Sequence, residues 1–223
     1  MKKRIKLADR VLPYYSHGEE VMNMVTHIVG GGLGVIALAL CAVKAWGSGG
    51  LDMAAVVLYG VSMIALYTMS SVYHGLKPGM GKKVMQVIDH CTIYLLIAGT
   101  YTPIVLITFR PVYPALGWGL FLLEWILAAL ATTLTAIDLK KYKVLSMVCY
   151  IGLGWAVLPF VQQTIELLGM AGFGFLLAGG ISYTIGAVLF GIGSKVRWMH
   201  SVFHIFVVLG SVLQYVAIYL YVL

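Results

Sequence analysis

The chain has 223 residues, of which 61% are hydrophobic and 10% charged, against roughly 45–50% and roughly 25% in soluble domains. Fifteen basic and eight acidic residues cannot cover a soluble protein of this size. So much apolar surface also excludes disorder, and the mean hydropathy of +0.95 assigns the chain to lipid. Cys41, Cys91 and Cys149 lie in apolar runs without CxxC spacing, which excludes a secreted disulfide scaffold.

Seven apolar stretches follow in chain order: 20–46, 51–74, 84–109, 115–137, 144–163, 171–192 and 198–222. Each is near or above the roughly 20 residues that cross a bilayer as a helix. Apolar and polar residues do not alternate with period two, so spanning strands are not expected. The first stretch is too long for a signal peptide and has no small-residue cleavage site. Short breaks separate the stretches: a turn at Gly47-Ser48-Gly49-Gly50, a loop from Lys77 to Lys83 and a polar link from Asp138 to Lys143. They predict antiparallel neighbours. The expected architecture is an all-α, seven-transmembrane helix bundle over 19–223, preceded by a basic cytoplasmic tail over 1–18, with no extramembrane domain.

The net charge of +7 invites a nucleic-acid reading, which the placement of the charges removes. Lys2, Lys3, Arg4, Lys6 and Arg10 lie in the tail. Lys77, Lys82, Lys83, Lys140, Lys141, Lys143, Lys195 and Arg197 lie in the second, fourth and sixth connections. Only Lys44 and Arg110 fall on the other side. This asymmetry places the N-terminus in the cytoplasm and, after seven spans, the C-terminus outside. The positive charge is a topology signal and a contact for anionic headgroups; nucleic-acid binding would need a basic face on a soluble module.

Gly30 with Gly34 and Ser182 with Gly186 make small-xxx-small steps that let helices approach, and Pro103 and Pro159 predict kinks in spans three and five. The ionisable residues carry more information. His27, His74, Asp89, His90, His200 and His204 all fall within or beside the spans, where such groups are expensive and usually functional. His27 lies about 10 Å into span one at a 1.5 Å rise per residue. His74 ends span two at the same side, and Asp89, His200 and His204 occupy the first two turns of spans three and seven. Sites scattered along the chain thus converge on the cytoplasmic leaflet.

His200 and His204, at i and i+4, share one face of span seven. Two imidazoles at that spacing can grip zinc, with His74 as the third ligand and Asp89 completing the site directly or through water. The plain alternative is a set of buried histidines bonded across helices. Ser70, one turn before His74, either meets the metal's water or a substrate oxygen, or bonds back to its own helix. Glu19, Asn23 and His27 form a stripe four residues apart, which either starts an amphipathic helix or orients the metal ligands from behind. His90 points about 100° away from Asp89, which suggests packing or headgroup contact. Glu124, nearer the outer half, is expected in a helix–helix hydrogen bond.

Several of these pieces resemble the progestin and adipoQ receptor superfamily, in its bacterial hemolysin III branch. They are Glu19-x3-Asn23-x2-Thr26-His27, Ser70-Ser71-x2-His74, Asp89-His90 with Tyr94 to Pro103 downstream, and His200-x3-His204; the likeness runs from about residue 19 to the C-terminus. It implies a bacterial cell-membrane protein of seven helices with a cytoplasmic N-terminus. It also implies zinc held by His74, His200 and His204, with Asp89 holding the water beside it. Related members are associated with ceramidase activity, and the branch is named for hemolysis. The chain lacks the long cytoplasmic N-terminal region of the eukaryotic receptors.

The leading expectation is therefore a zinc-dependent hydrolase of lipid amide or ester bonds, with Asp89 and Ser70 catalytic and a long-chain membrane lipid as substrate. The alternative is a hemolysin III-type cytolysin, or a non-enzymatic receptor with structural zinc. A pore would need polar residues through a whole span, and the outer halves are almost purely apolar. A transporter would place its charges nearer the midplane. The charge asymmetry itself is testable: a cysteine introduced near Gly79 should react with impermeant reagents only from the cytoplasm, and one near Gly49 only from outside. The reverse pattern would refute the orientation.

Overall fold

The computed structural model describes residues 6–193 and 196–223; Lys2, Lys3, Arg4 and Lys195, used above for orientation, lie outside the described residues. Every element among the described residues is helical. A 3₁₀ turn at Leu7–Asp9 precedes α1 (His17–Lys44), which starts earlier than the expected boundary at residue 19. Ser16 explains the earlier start: its hydroxyl accepts from the Glu19 N–H while the Glu19 carboxylate reaches back to Ser16, a reciprocal cap. Then follow α2 (Gly50–Gly75), α3 (Met80–Pro103), α4 (Pro114–Ile137), α5 (Lys143–Gly154), α6 (Val161–Gly193) and α7 (Met199–Ala217). Both prolines mark departures from α geometry. Pro103 leads into a π-helical stretch, Ile104–Phe109, and Pro159 lies in the 3₁₀ turn Leu158–Phe160.

Among the described residues, six helical stretches are long and apolar enough to cross a membrane, where the sequence divides into seven. The difference lies in one stretch, Lys143–Gly193, of 51 residues. It is not a single rod. Trp155 Nε1 donates to Thr184 Oγ1 at 2.9 Å, although 29 residues of straight helix would separate them by about 43 Å. The chain folds back between them, and Gly169 (φ 70°, ψ 169°) is the non-helical residue inside α6. Glycine reaches that conformation without the Cβ clash other residues would meet.

The main packing joins α1 to α2, α2 to α3 and α6 to α7, and α1 also meets α7. The stretch Met80–Val112 is the most buried of the six, so α3 is the central post. Polar pairs collect at the two ends. At one end Asp52 pairs with Arg110 at 3.6 Å, Tyr113 OH donates to Glu166 Oε2 at 2.8 Å, and Lys44 donates to the Tyr219 carbonyl. At the other end lie Glu19, Glu20, His74, Lys82 and His200.

Gly30 faces Tyr67, and an added Cβ there would stand 2.6 Å from two ring atoms. Tyr67 cannot yield, because its hydroxyl bonds Ser211 Oγ at 2.6 Å and it is fully buried. Gly32 has open space instead. Gly30→Ala should therefore lower stability by about 1–3 kcal/mol, and Gly32→Ala should leave it unchanged or raise it by up to about 1 kcal/mol. Thermal unfolding of the two variants in detergent checks the contrast.

Candidate metal centre

His74 closes α2, and His200 and His204 occupy the first two turns of α7, so three imidazoles from two helices meet at one end of the bundle. One nitrogen of each lies within 4.8 Å of those of the other two, and all three rings are buried. His200 Nε2 and His204 Nε2 stand 3.2 Å apart. Two nitrogens bound at 2.0–2.1 Å to one tetrahedral ion are separated by about 3.4 Å, so this spacing suits a shared metal. His74 Nε2 is buried without a hydrogen-bond partner among the described residues. A buried imidazole nitrogen left so is costly unless something else binds it, and a metal ion shared with the other two would do so.

The opposite edges of two rings are held by α1. Glu20 Oε2 accepts from His74 Nδ1 at 2.7 Å, while Lys82 Nζ, at the start of α3, donates to Glu20 Oε1 at 2.6 Å. The backbone carbonyl of Asn23 accepts from His204 Nδ1 at 3.2 Å. With both protons fixed on Nδ1, both Nε2 atoms are free to act as ligands, the arrangement in which metal-binding histidines are usually held. Glu19 serves α7 more remotely: its Oε1 accepts from the Trp198 N–H at 2.7 Å, and its Oε2 accepts from Ser16. His27 stacks on His204 with ring centres 3.8 Å apart, outside the converging group. Tyr15 stacks on His200, centres 4.8 Å apart and planes 22° from parallel. Burial pushes the Tyr15 phenol up, and the Glu20, Asp89 and Glu19 carboxylates push the same way, so it stays neutral.

Asp89 stands apart from the three histidines but shares a cavity with His200, His204, His27 and Ser70. Ser70 and His90 both partner its carboxylate, with His90 Nδ1 at 3.5 Å from Oδ2 and also donating to the Gln86 carbonyl at 2.8 Å. The cavity, of ≈ 150 Å³, is narrow and mostly apolar. His200 and Gln214 both line it, and their separation along α7 makes it about 21 Å long.

Most residues singled out from sequence thus meet here, in roles that differ in detail. Glu20, not Glu19, holds His74; the stripe rule picked i and i+4, while Glu20 reaches α2 from the next position round the helix. His90, expected at packing or headgroups, stands against Asp89 on the cavity wall. Glu124, expected in a helix–helix hydrogen bond, is fully buried with neither oxygen partnered among the described residues. Lys82 and Tyr15 had no sequence signal beyond a basic loop and an aromatic tail.

The sequence model of the haemolysin-III-related family matches residues 15–215. Hemolysin-3 of Bacillus cereus is 37% identical over 206 residues, covering 92% of each chain. Hemolysin-3 homolog of Bacillus subtilis is 33% identical over 204 residues, covering 91% of this chain and 94% of that one. The human monocyte to macrophage differentiation factor is 27% identical over 172 residues, covering 74% and 68%. The chain belongs to the haemolysin-III-related family, a branch of the progestin and adipoQ receptor superfamily, and is a multi-pass protein of the cell membrane.

If the triad holds a metal, His74→Ala, His200→Ala and His204→Ala should each strip it from the purified protein. Glu20→Gln, which weakens the grip on His74 without removing a ligand, should reduce metal affinity by about 10- to 100-fold. Elemental analysis and competition with a chelator read both effects; full occupancy in all three alanine variants would remove the assignment.

Proposed function

We propose that this haemolysin-III-related chain is a seven-pass, zinc-dependent hydrolase that cleaves an amide or ester bond of a long-chain lipid at the cytoplasmic leaflet. The observation that carries the reading is the convergence of three imidazoles, two of which, His200 and His204, line an apolar cavity together with the Asp89 carboxylate. Seven crossings are supported by the fold-back at Gly169. The stretch Lys143–Gly193 would measure about 77 Å if straight, more than twice the roughly 30 Å hydrocarbon core, so its two limbs fit as two spans. The basic residues then set the metal end in the cytoplasm.

Zinc fits the donor set of three neutral imidazoles with a fourth position left for water, and it supplies an acidified water and a polarised carbonyl. The chain's residues do the rest. Asp89 accepts the proton of the attacking water. Ser70, beside it, donates a hydrogen bond to the oxygen on which negative charge develops. Glu20 and Asn23 hold the ligand rings in orientation, so no reorganisation is needed during reaction. The acyl chain lies along the cavity between apolar helices, with the headgroup toward the basic end. At about 21 Å the cavity is longer than the roughly 15 Å depth of one leaflet, so it can guide a chain along its length, and a long chain needs the helices around it to part. The Bacillus cereus relative's name, Hemolysin-3, favours a second reading, a membrane-lytic protein whose metal is structural.

Metal-dependent release of fatty acid from long-chain lipid amides or esters is the expected result. Short soluble analogues should react far more slowly, since each buried CH₂ contributes about 0.8 kcal/mol. Asp89→Asn should keep the metal and lose most turnover. Equal rates for long and short chains, or no metal-dependent release from any lipid, would favour the lytic reading.

A further inference from the structure

Of the three ligand rings, two are oriented by hydrogen bonds at Nδ1, His74 by Glu20 and His204 by Asn23. His200 has no such bond. Its one side-chain hydrogen-bond contact among the described residues is the Nε2 approach to His204. Aromatic rings surround it instead. Phe203 and Phe190 lie tilted at 5.4 and 5.6 Å, while Tyr15 lies nearly parallel at 4.8 Å. Tyr15 also meets His74, at 5.7 Å, so one ring touches two ligands.

Resting on the reading that the triad holds a metal, we infer that Tyr15 is a positioning residue: its ring sets the plane of His200, so the metal centre depends on a segment that supplies no ligand. A ring without a hydrogen-bonded edge can swing about its side-chain torsions, and a stacked partner removes that freedom. The partner must itself be fixed, and Tyr15 is fixed on both sides. Ser16, next in the chain, is locked into the cap of α1 by Glu19. Upstream, the turn Leu7–Asp9 packs against α3, and Leu7 lines a shallow hollow together with Val84, Val87 and Ile88 of α3 and Ala136 of α4. Arg10 donates to the Ile137 carbonyl at 3.5 Å, and Lys83 donates to the Ala8 carbonyl at 2.5 Å. Residues 6–16 thus form a strap docked on α3 and α4 at one end and on α1 at the other, with Tyr15 turned onto the triad.

The test uses the purified full chain, zinc affinity measured against a chromophoric chelator, and the electronic spectrum of the cobalt(II)-loaded protein as a signature of ligand geometry. Tyr15→Leu should weaken zinc binding by about 10- to 100-fold and alter the cobalt spectrum. Tyr15→Phe, which keeps the stack, should match the wild type in both. Leu7→Asp frees the strap without touching Tyr15; it should act in the same direction and carries the test if Tyr15→Leu does not fold. Wild-type affinity and spectrum in Tyr15→Leu, or equal damage in Tyr15→Phe, would overturn the inference while leaving the metal reading intact. A wild-type chain that takes up neither zinc nor cobalt would overturn both.

Discussion

Three imidazoles can converge only if α1, α2 and α7 keep a fixed height relative to one another, and the first two turns of α1 impose that height. Glu20 ties α2 and α3 through His74 and Lys82, Asn23 ties α7 through His204, and Glu19 ties the start of α7 through the Trp198 N–H. A slip of one helical turn is about 5.4 Å, larger than the 4.8 Å within which the ligand nitrogens lie. These bonds are buried or partly buried, where the effective dielectric is lower than in water, so each is stronger than it would be on an open surface. The small residues that bring helices together, such as Gly30 under Tyr67, set lateral spacing but say little about height.

The remainder of the bundle is organised around keeping that polar end separate from the apolar middle. Charged side chains lie at the two ends, and between them the cavity wall is made largely of aliphatic and aromatic groups. Glu124 is the exception, a buried carboxyl with no partner among the described residues. Several other polar groups in the middle are paired, although the Tyr59 hydroxyl, like Glu124, is buried without a hydrogen-bond partner among the described residues. Thr100 and Thr102 donate back to the carbonyls four residues earlier, and Trp125 Nε1 donates to Thr102 Oγ1.

Much of this was legible from residue spacing because a membrane helix converts sequence position into depth at a fixed rise. His74, His200, His204 and Asp89 could be put at one level by counting alone. Counting could not say how each side chain is aimed. Glu19 and Glu20 differ by one step round the helix, and only the packing of α1 on α2 decides which carboxylate meets His74. The division of Lys143–Gly193 into 144–163 and 171–192 left a gap around Gly169, where the chain does fold back, but periodicity gave no warning of the 3₁₀ turn at Leu158–Phe160. Tyr15 was invisible for another reason. It belongs to a polar segment without helical period, and its contact partner lies 185 positions away.

Trp198 leads into α7 with φ 67°, in the left-handed region that a side chain occupies at a cost of roughly 1–2 kcal/mol. The N–H exposed by that turn is the one Glu19 accepts. Glycine would enter the same turn without strain, yet it would also bring the wide backbone freedom that lets a hinge move. The indole narrows that freedom and lies close over Gly18, where an added Cβ would stand 3.2 Å from the ring. The junction two residues before His200 is thus tensioned rather than relaxed, and α7 gains a defined starting angle at the expense of local comfort.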